Sequence, residues 1–357
     1  MGRVTIKDIA NELNVSIATV DRALHNRGRI NDKTYTQVMH KVEELGYKPN
    51  KIASVLVKNI DARIVFITPR CNIFFEEIIK GAKAAANDLL DFGVHIDFIT
   101  QESFFDSLGQ IESMTALMKE KPEGIIIVPL HSLLLSTSID KAVDDGIPVI
   151  TVNLDSKESK RLCYVGQDPE KTGAIIGSLF SKYLCNSGDI VVLNGVTEIT
   201  TLKLRTKGFI NKLETNYPGI NILNHVDYAD DISIAYEVAK KILSDNSGLK
   251  GIFANTAYGS IGVGMAIRDL DRCGSIVAVG FDTLYGVLDL LDCDALKATV
   301  TQNPFMEGYH AVDLLYHIIA NKALPDKEYY YTKADILISS EQYDLNEKGS
   351  FQRPLPL

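Results

Sequence analysis

From residue 63 onward the chain alternates short apolar runs with stretches of helical periodicity. RIVFIT (63–68), VHIDFI (94–99), GIIIV (124–128) and PVITV (148–152) form one series. DIVVL (189–193), GINIL (219–223), GIFA (251–254), SIVAVG (275–280) and ATVT (298–301) form a second. Near-continuous Val/Ile strands joined by helices predict parallel sheets covered on both faces. Two such series in one chain predict an α/β body of two similar lobes rather than one very wide sheet. Ligands of such sheets sit beyond the carboxyl ends of the strands, so those positions are where chemistry is to be sought.

The first 46 residues carry a different period. Ile6, Ile9, Ala10 and Leu13 fall on one helical face, with Thr5 and Asp8 as an acidic capping box. Asn14 follows, a residue that tolerates a left-handed turn. Ser16 then caps a second helix striped by Val20, Ala23 and Leu24. A third runs from about Asp32 with Tyr35, Val38, Met39, Val42 and Leu45 on one face, and Gly46 ends it. Three short helices with a tight turn between the first two make a helix-turn-helix unit. Its second helix would present Ile17, Ala18 and Arg22 to a DNA major groove, Arg22 to guanine and the other two by apolar contact. A three-helix bundle that binds a protein gives the same spacing.

Charge bears on that choice. The chain of 357 residues has a net charge of −9, yet residues 1–60 hold ten Lys/Arg against six Asp/Glu, which leaves −13 on the remainder. A basic head on an acidic body confines phosphate affinity to the head. Arg27, Arg29, Lys33 and Lys51 are either phosphate contacts or solvated surface.

Residues 4–10 (VTIKDIA), 15–20 (VSIATV) and 47–56 (YKPNKIASVL) stand in an order and spacing that resembles the lactose/galactose-repressor family of bacterial transcription regulators. The resemblance implies a hinge helix over 50–58 that enters the minor groove, with Leu56 as the wedge between base steps. It implies DNA-binding roles for Thr5, Ser16, Ile17, Ala18, Thr19, Arg22, Arg29, Asn50, Ala53 and Leu56, and a homodimer on a pseudo-palindromic double-stranded operator. Asp21 stands where that family most often has Ser, which bears on operator sequence rather than on DNA binding.

The strand ends of the body are polar and aromatic: Asn72, Phe74, Phe75, Asn153, Arg205, Asp227, Tyr228, Asn255, Asp282 and Gln302. Amides, a carboxylate and a guanidinium among aromatic faces suit a polyhydroxylated ring, whose hydroxyls need donors and acceptors and whose C–H faces stack. Five of them have a plainer alternative: core for the two phenylalanines, helix caps for Asn255 and Asp282, a surface ion pair for Arg205. From 62 to about 340 the body resembles the periplasmic sugar-binding proteins, the ribose-binding one in particular, through NIFF (72–75), RTKGF (205–209), GFD (280–282) and TVTQ (299–302). That resemblance implies a type I periplasmic-binding-protein-like fold. It also implies a carbohydrate effector held by Asn72, Phe74, Phe75, Asn153, Arg205, Tyr228, Asn255, Asp282 and Gln302. Where the ribose binder has Asp-Arg, this chain has Asn153-Leu154, so one acceptor and one forked donor are lost.

The expected organisation is a helix-turn-helix head (1–46), a hinge (47–61), a two-lobed body (62–340) and a polar tail (341–357). Family resemblance sets the crossings between lobes near 165, 302 and 328. Lobe 1 then takes about 62–165 and 303–328, and lobe 2 about 166–302 and 329–340. The tail lacks leucine heptads, which favours a dimer. Five scattered cysteines without CxxC spacing predict reduced thiols and no metal. No apolar run reaches membrane-spanning length and the start lacks a secretory h-region, so a cytoplasmic location without a membrane partner is expected. GSIGVG (259–264) lacks Rossmann and Walker spacing and reads as close helix packing. No catalytic order or cofactor motif is readable, so the expectation is a ligand-responsive repressor and not an enzyme. A sugar-binding protein or sugar-acting enzyme without a transcriptional role is the alternative.

Overall fold

The computed structural model describes residues 6–13, 15–16, 19–20, 23, 31–45, 61–69, 73–103, 106–196, 199–229, 231–284 and 286–342. Two compact units meet in the chain between Asp61 and Ala62. All of the hinge expected at 47–61 except Asp61, the tail beyond 342, and Thr5, Ile17, Ala18, Arg22, Arg29, Asn50, Ala53, Leu56 and Asn72 lie outside the described residues.

In the head, helices Ile6–Leu13 and Asp32–Glu44 enclose Ile9, Ala10, Val20, Ala23 and Val38, with Leu13, Val15, Val42 and Leu45 packed around them. Thr19, Val20 and Ala23 are helical. The Ser16 hydroxyl accepts the Thr19 backbone N–H at 3.1 Å, the capping role its position predicts. Lys41 joins Glu12 and Glu44, tying the outer two helices. Tyr35 and Met39 are exposed instead of buried. So small a core takes in Val38, Val42 and Leu45 only from that face, and the stripe is narrower than the periodicity predicts. Ser16→Ala should cost about 1 kcal/mol locally, read as roughly fivefold faster hydrogen exchange at the Val20 amide in the full-length protein.

The body holds two six-stranded sheets. In the first, strands lie in the order β11-β5-β4-β3-β1-β2, all parallel: β1 Ala62–Thr68, β2 Val94–Thr100, β3 Gly124–Ile127, β4 Val149–Val152, β5 Cys163–Gly166 and β11 Tyr329–Tyr331. The second runs β12-β10-β9-β8-β6-β7: β6 Gly188–Asn194, β7 Ile220–Asp227, β8 Gly251–Ala254, β9 Val277–Phe281, β10 Ala298–Thr301 and β12 Asp335–Leu337. Only β12 is antiparallel. The central strands β3, β4, β5, β8 and β9 are buried throughout, as continuous apolar runs require. The core of the second lobe stacks Phe209 on Phe253 at 4.2 Å between ring centroids, with Phe180 edge-on to both.

Three strands escape the apolar pattern. CYVG is too short, and Tyr329–Tyr331 and Asp335–Leu337 sit among charged residues. Tyr329–Tyr331 pairs with Cys163–Gly166, and the Tyr329 and Tyr331 rings stand edge-on to Tyr164. This strand carries the first sheet on to Tyr331, three residues past the crossing expected near 328. The crossings are bonded to one another. Thr332 donates its backbone N–H to the Gly166 carbonyl at 2.8 Å and its hydroxyl to the Gln302 carbonyl at 3.2 Å. Gln167 Nε2 donates to the Thr301 carbonyl at 3.3 Å.

GSIGVG lies inside the helix Ala257–Asp269. A Cβ on Gly262 would come within 2.6 Å of Ala235 on the neighbouring helix, so close packing and not phosphate binding explains the glycines. No helix among the described residues is long and apolar enough to cross a membrane.

Candidate functional site

The parallel order places strand carboxyl ends, and the first turns of the following helices, along the line where the lobes face each other. Asn153 follows β4, Asp282 follows β9 and Gln302 follows β10. Phe74 and Phe75 open the helix Ile73–Asp88 after β1, and Arg205 sits in the helix Thr200–Asn216 after β6. Asn153 and Asp282 leave their strands with φ of 63° and 57°. Asn and Asp are the non-glycine residues that best tolerate that left-handed region.

Arg205 is buried and donates to the Asn255 carbonyl at 2.8 Å and to Gln302 Oε1 at 3.1 Å. Its guanidinium lies 3.9 Å from the centre of the Phe281 ring. Gln302 turns its amide to Asp282, donating at 3.2 and 3.0 Å to the two carboxylate oxygens. From the other lobe, Asn153 Nδ2 donates at 3.0 Å to Glu307 Oε2, and the Tyr164 hydroxyl donates to the Asn153 carbonyl at 3.0 Å. Each lobe thus brings its own polar cluster to the cleft, and within each cluster one bond fixes the next rotamer.

Burial pushes Asp282 up to about 6, against the pull of the Arg205 charge and the Gln302 bond. Burial also drives Glu307 well above the ordinary carboxylate range, opposed by its bond from Asn153 and reinforced by the nearby Asp282. Protonating Glu307 is thus favoured by folding, so stability is lost as pH rises above the unfolded value towards the folded one. Glu307→Gln, which fixes the neutral form, should raise the melting temperature of the ligand-free protein, more at pH 8 than at pH 5. Differential scanning calorimetry at both pH values checks this.

Phe74, Phe75, Asn153, Arg205, Asp282 and Gln302 together line a cavity of about 120 Å³. Phe75 is buried, and half-buried Phe74 packs against the core of the opposite lobe, edge-on to Phe75 at 5.4 Å. The alternatives of Asp282 and Asn255 as helix caps do not hold. Gly286 and Thr256 occupy the N-cap positions of the helices that follow. Tyr228 and Asn255 are not brought to the wall. The Tyr228 hydroxyl turns inward to the Thr256 hydroxyl. Asn255 spends its side chain on the Gly195 N–H at 2.8 Å and on Thr206. It borders a second cavity of about 310 Å³ instead, along with Lys203 and Lys207. Asn255 therefore holds Arg205 through its carbonyl and does not face the main cavity. Asp227 pairs with Asn194 at the end of β7, away from Asp282.

Sequence reading missed the apolar share of the wall. Ile199, Leu202 and Leu284 line the cavity with Leu154, and Thr201, Thr256, Ala257 and Tyr258 join them from the first turns of two helices. Their signal was proximity to the strand ends, but Leu and Ile there read equally as core. His131 caps the helix Ser132–Asp144, its Nδ1 accepting the Leu134 N–H at 3.3 Å, as a satisfied loop residue does.

Two doubly wound lobes closing on a cavity of mixed polar and apolar wall, preceded by a small basic helical head, define a ligand-sensing DNA-binding regulator. The comparisons agree. Residues 64–323 match the periplasmic binding protein domain, and residues 5–50 match the bacterial regulatory proteins of the lacI family. The transcriptional regulator RegA of Clostridium saccharobutylicum is 24% identical over 91% of this chain and 95% of its own. The D-ribose/D-allose-binding protein of Pseudomonas aeruginosa is 24% identical over 72% of this chain and 81% of its own. A solute-binding protein of Burkholderia graminis, solved in complex with D-arabinose, is 25% identical, covers 80% of this chain and 98% of its own, and superposes with a TM-score of 0.73. The chain belongs to the periplasmic binding protein domain family and carries the DNA-binding head of the lacI-family transcription regulators.

Proposed function

We propose that the protein is a cytoplasmic, homodimeric repressor whose affinity for a pseudo-palindromic double-stranded operator is set by a small carbohydrate bound between the lobes. The observation that carries this is the wall itself. Phe74 and Phe75 offer ring faces beside Asn153, Arg205, Asp282 and Gln302, which between them present donors and acceptors. In this reading Asp282 accepts from ligand hydroxyls and Arg205 donates to ring or hydroxyl oxygens, so the site binds without turning over. The head residues Thr5, Ser16, Ile17, Ala18, Thr19, Arg22 and Arg29 and the hinge residues Asn50, Ala53 and Leu56 contact DNA.

Thermal melting of the full-length protein against D-ribose, D-allose and D-arabinose tests the reading. A sugar at one hundred times its dissociation constant adds about 2.7 kcal/mol, a rise of several degrees. A flat response to all three, with operator affinity also unmoved by any of them, would contradict it.

A further inference from the structure

Two of the five cysteines meet at the far end of the second lobe. Cys273 lies in the turn after the helix Ala257–Asp269, and Cys293 caps the carboxyl end of the helix Val287–Asp292. The Cys273 thiol lies beside Cys293, whose own thiol donates to the Leu290 carbonyl at 3.7 Å. The backbone holds them in register: the Gly274 N–H donates to the Asp294 carbonyl at 3.0 Å. Lys297 spans the same two segments, reaching the Gly274 carbonyl at 3.4 Å and the Asp294 carboxylate at 2.7 Å. Both thiols are free, Cys293 is exposed and Cys273 half-buried. Of the others, Cys163 is buried with its thiol pushed up to about 12, and Cys185 is exposed.

We propose that Cys273 and Cys293 form a dithiol site that low-molecular-weight disulfides oxidise to an intramolecular disulfide. The exposed Cys293 thiolate attacks one sulfur of the small disulfide, R–S–S–R, forming a mixed disulfide and releasing one R–S⁻. Cys273 then gives up its proton to solvent and attacks the Cys293 sulfur, closing the Cys273–Cys293 bond and expelling the second R–S⁻. Two protein thiols are oxidised and one small disulfide is reduced to two thiols. The second step is the slower at neutral pH, because burial raises the Cys273 thiol above its usual range. The closure therefore accelerates as pH rises. The bond ties the turn after Ala257–Asp269 to the segment that runs from Asp282 to Gln302, so it braces the lobe from behind the cavity.

Glutathione disulfide added to the full-length protein under native conditions tests this by thiol titration and peptide mapping. The expected result is loss of the Cys273 and Cys293 thiols together, with their peptides linked, and a persistent glutathione adduct on Cys293 in the Cys273→Ser variant. An adduct that stays on Cys293 in the wild-type chain while Cys273 remains free would overturn the proposal. So would two thiols that stay unreacted in the folded protein yet react once it is unfolded in urea.

Discussion

Asp282→Asn is expected to stabilise the ligand-free protein by about 3 kcal/mol at neutral pH while abolishing its response to sugar. A carboxyl held at about 6 where the unfolded chain has 3.8 is protonated more readily when folded. Its contribution is intact at low pH and is lost as pH rises from about 4 to about 6. Above that window the difference corresponds to about 3 kcal/mol, which the neutral amide restores. At about pH 5 the gain should shrink to roughly half. Asparagine also tolerates the left-handed backbone at 282 and can still accept from Gln302, so the site keeps its shape. It cannot supply the charge that a ligand hydroxyl would meet. Calorimetry across pH reads the first effect and sugar titration the second. Loss of stability at neutral pH would show that the Arg205 charge, not burial, governs this carboxyl.

The second large effect lies behind the wall. Helices Pro169–Tyr183 and Thr200–Asn216 cross with their backbones touching. A Cβ on Gly208 would stand 2.0 Å from the Glu170 carbonyl oxygen, and one on Gly173 1.9 Å from the Arg205 carbonyl oxygen. Neither helix can yield without moving the backbone that carries Arg205. Gly208→Ala should therefore cost about 3 kcal/mol in overpacking, offset by up to about 1 kcal/mol of helix propensity, for a net loss of roughly 2 kcal/mol. Sugar affinity should fall with it, since Arg205 sits one turn away. Gly248→Ala, where a Cβ meets nothing within 4 Å, is the control and should be neutral. Equal melting temperatures for the two variants would mean that the helices part without cost.

The glycine explains part of what was legible. In RTKGF the Arg and the Gly do different work, one in the cleft and one in the helix crossing, and their spacing of three joins the two. The lobes were readable because buried parallel strands must be continuously apolar, and of the nine cavity residues that the resemblance implied six are on its wall and Asn72 lies outside the described residues. Tyr228 and Asn255 went astray because position after a strand does not fix the direction of a side chain. Asn255 had a backbone N–H at Gly195 to satisfy, and Tyr228 had the Thr256 hydroxyl. Glu307 escaped notice for the opposite reason. It opens the helix Pro304–Asn321, where an acidic residue is ordinary, and only the fold buries it against Asn153. Tyr329–Tyr331 carries no Val/Ile run among its charged neighbours, and its strand pairing comes only from Cys163–Gly166.

The most direct test of the account is operator affinity. The full-length protein, bound to a duplex selected from random DNA, is titrated by fluorescence anisotropy with and without the sugar that raises its melting temperature. Coupling of about 1–3 kcal/mol predicts a shift of roughly 5- to 150-fold, absent in Asp282→Asn. An affinity that stays the same with the cavity saturated would contradict the claim that the cleft controls the head.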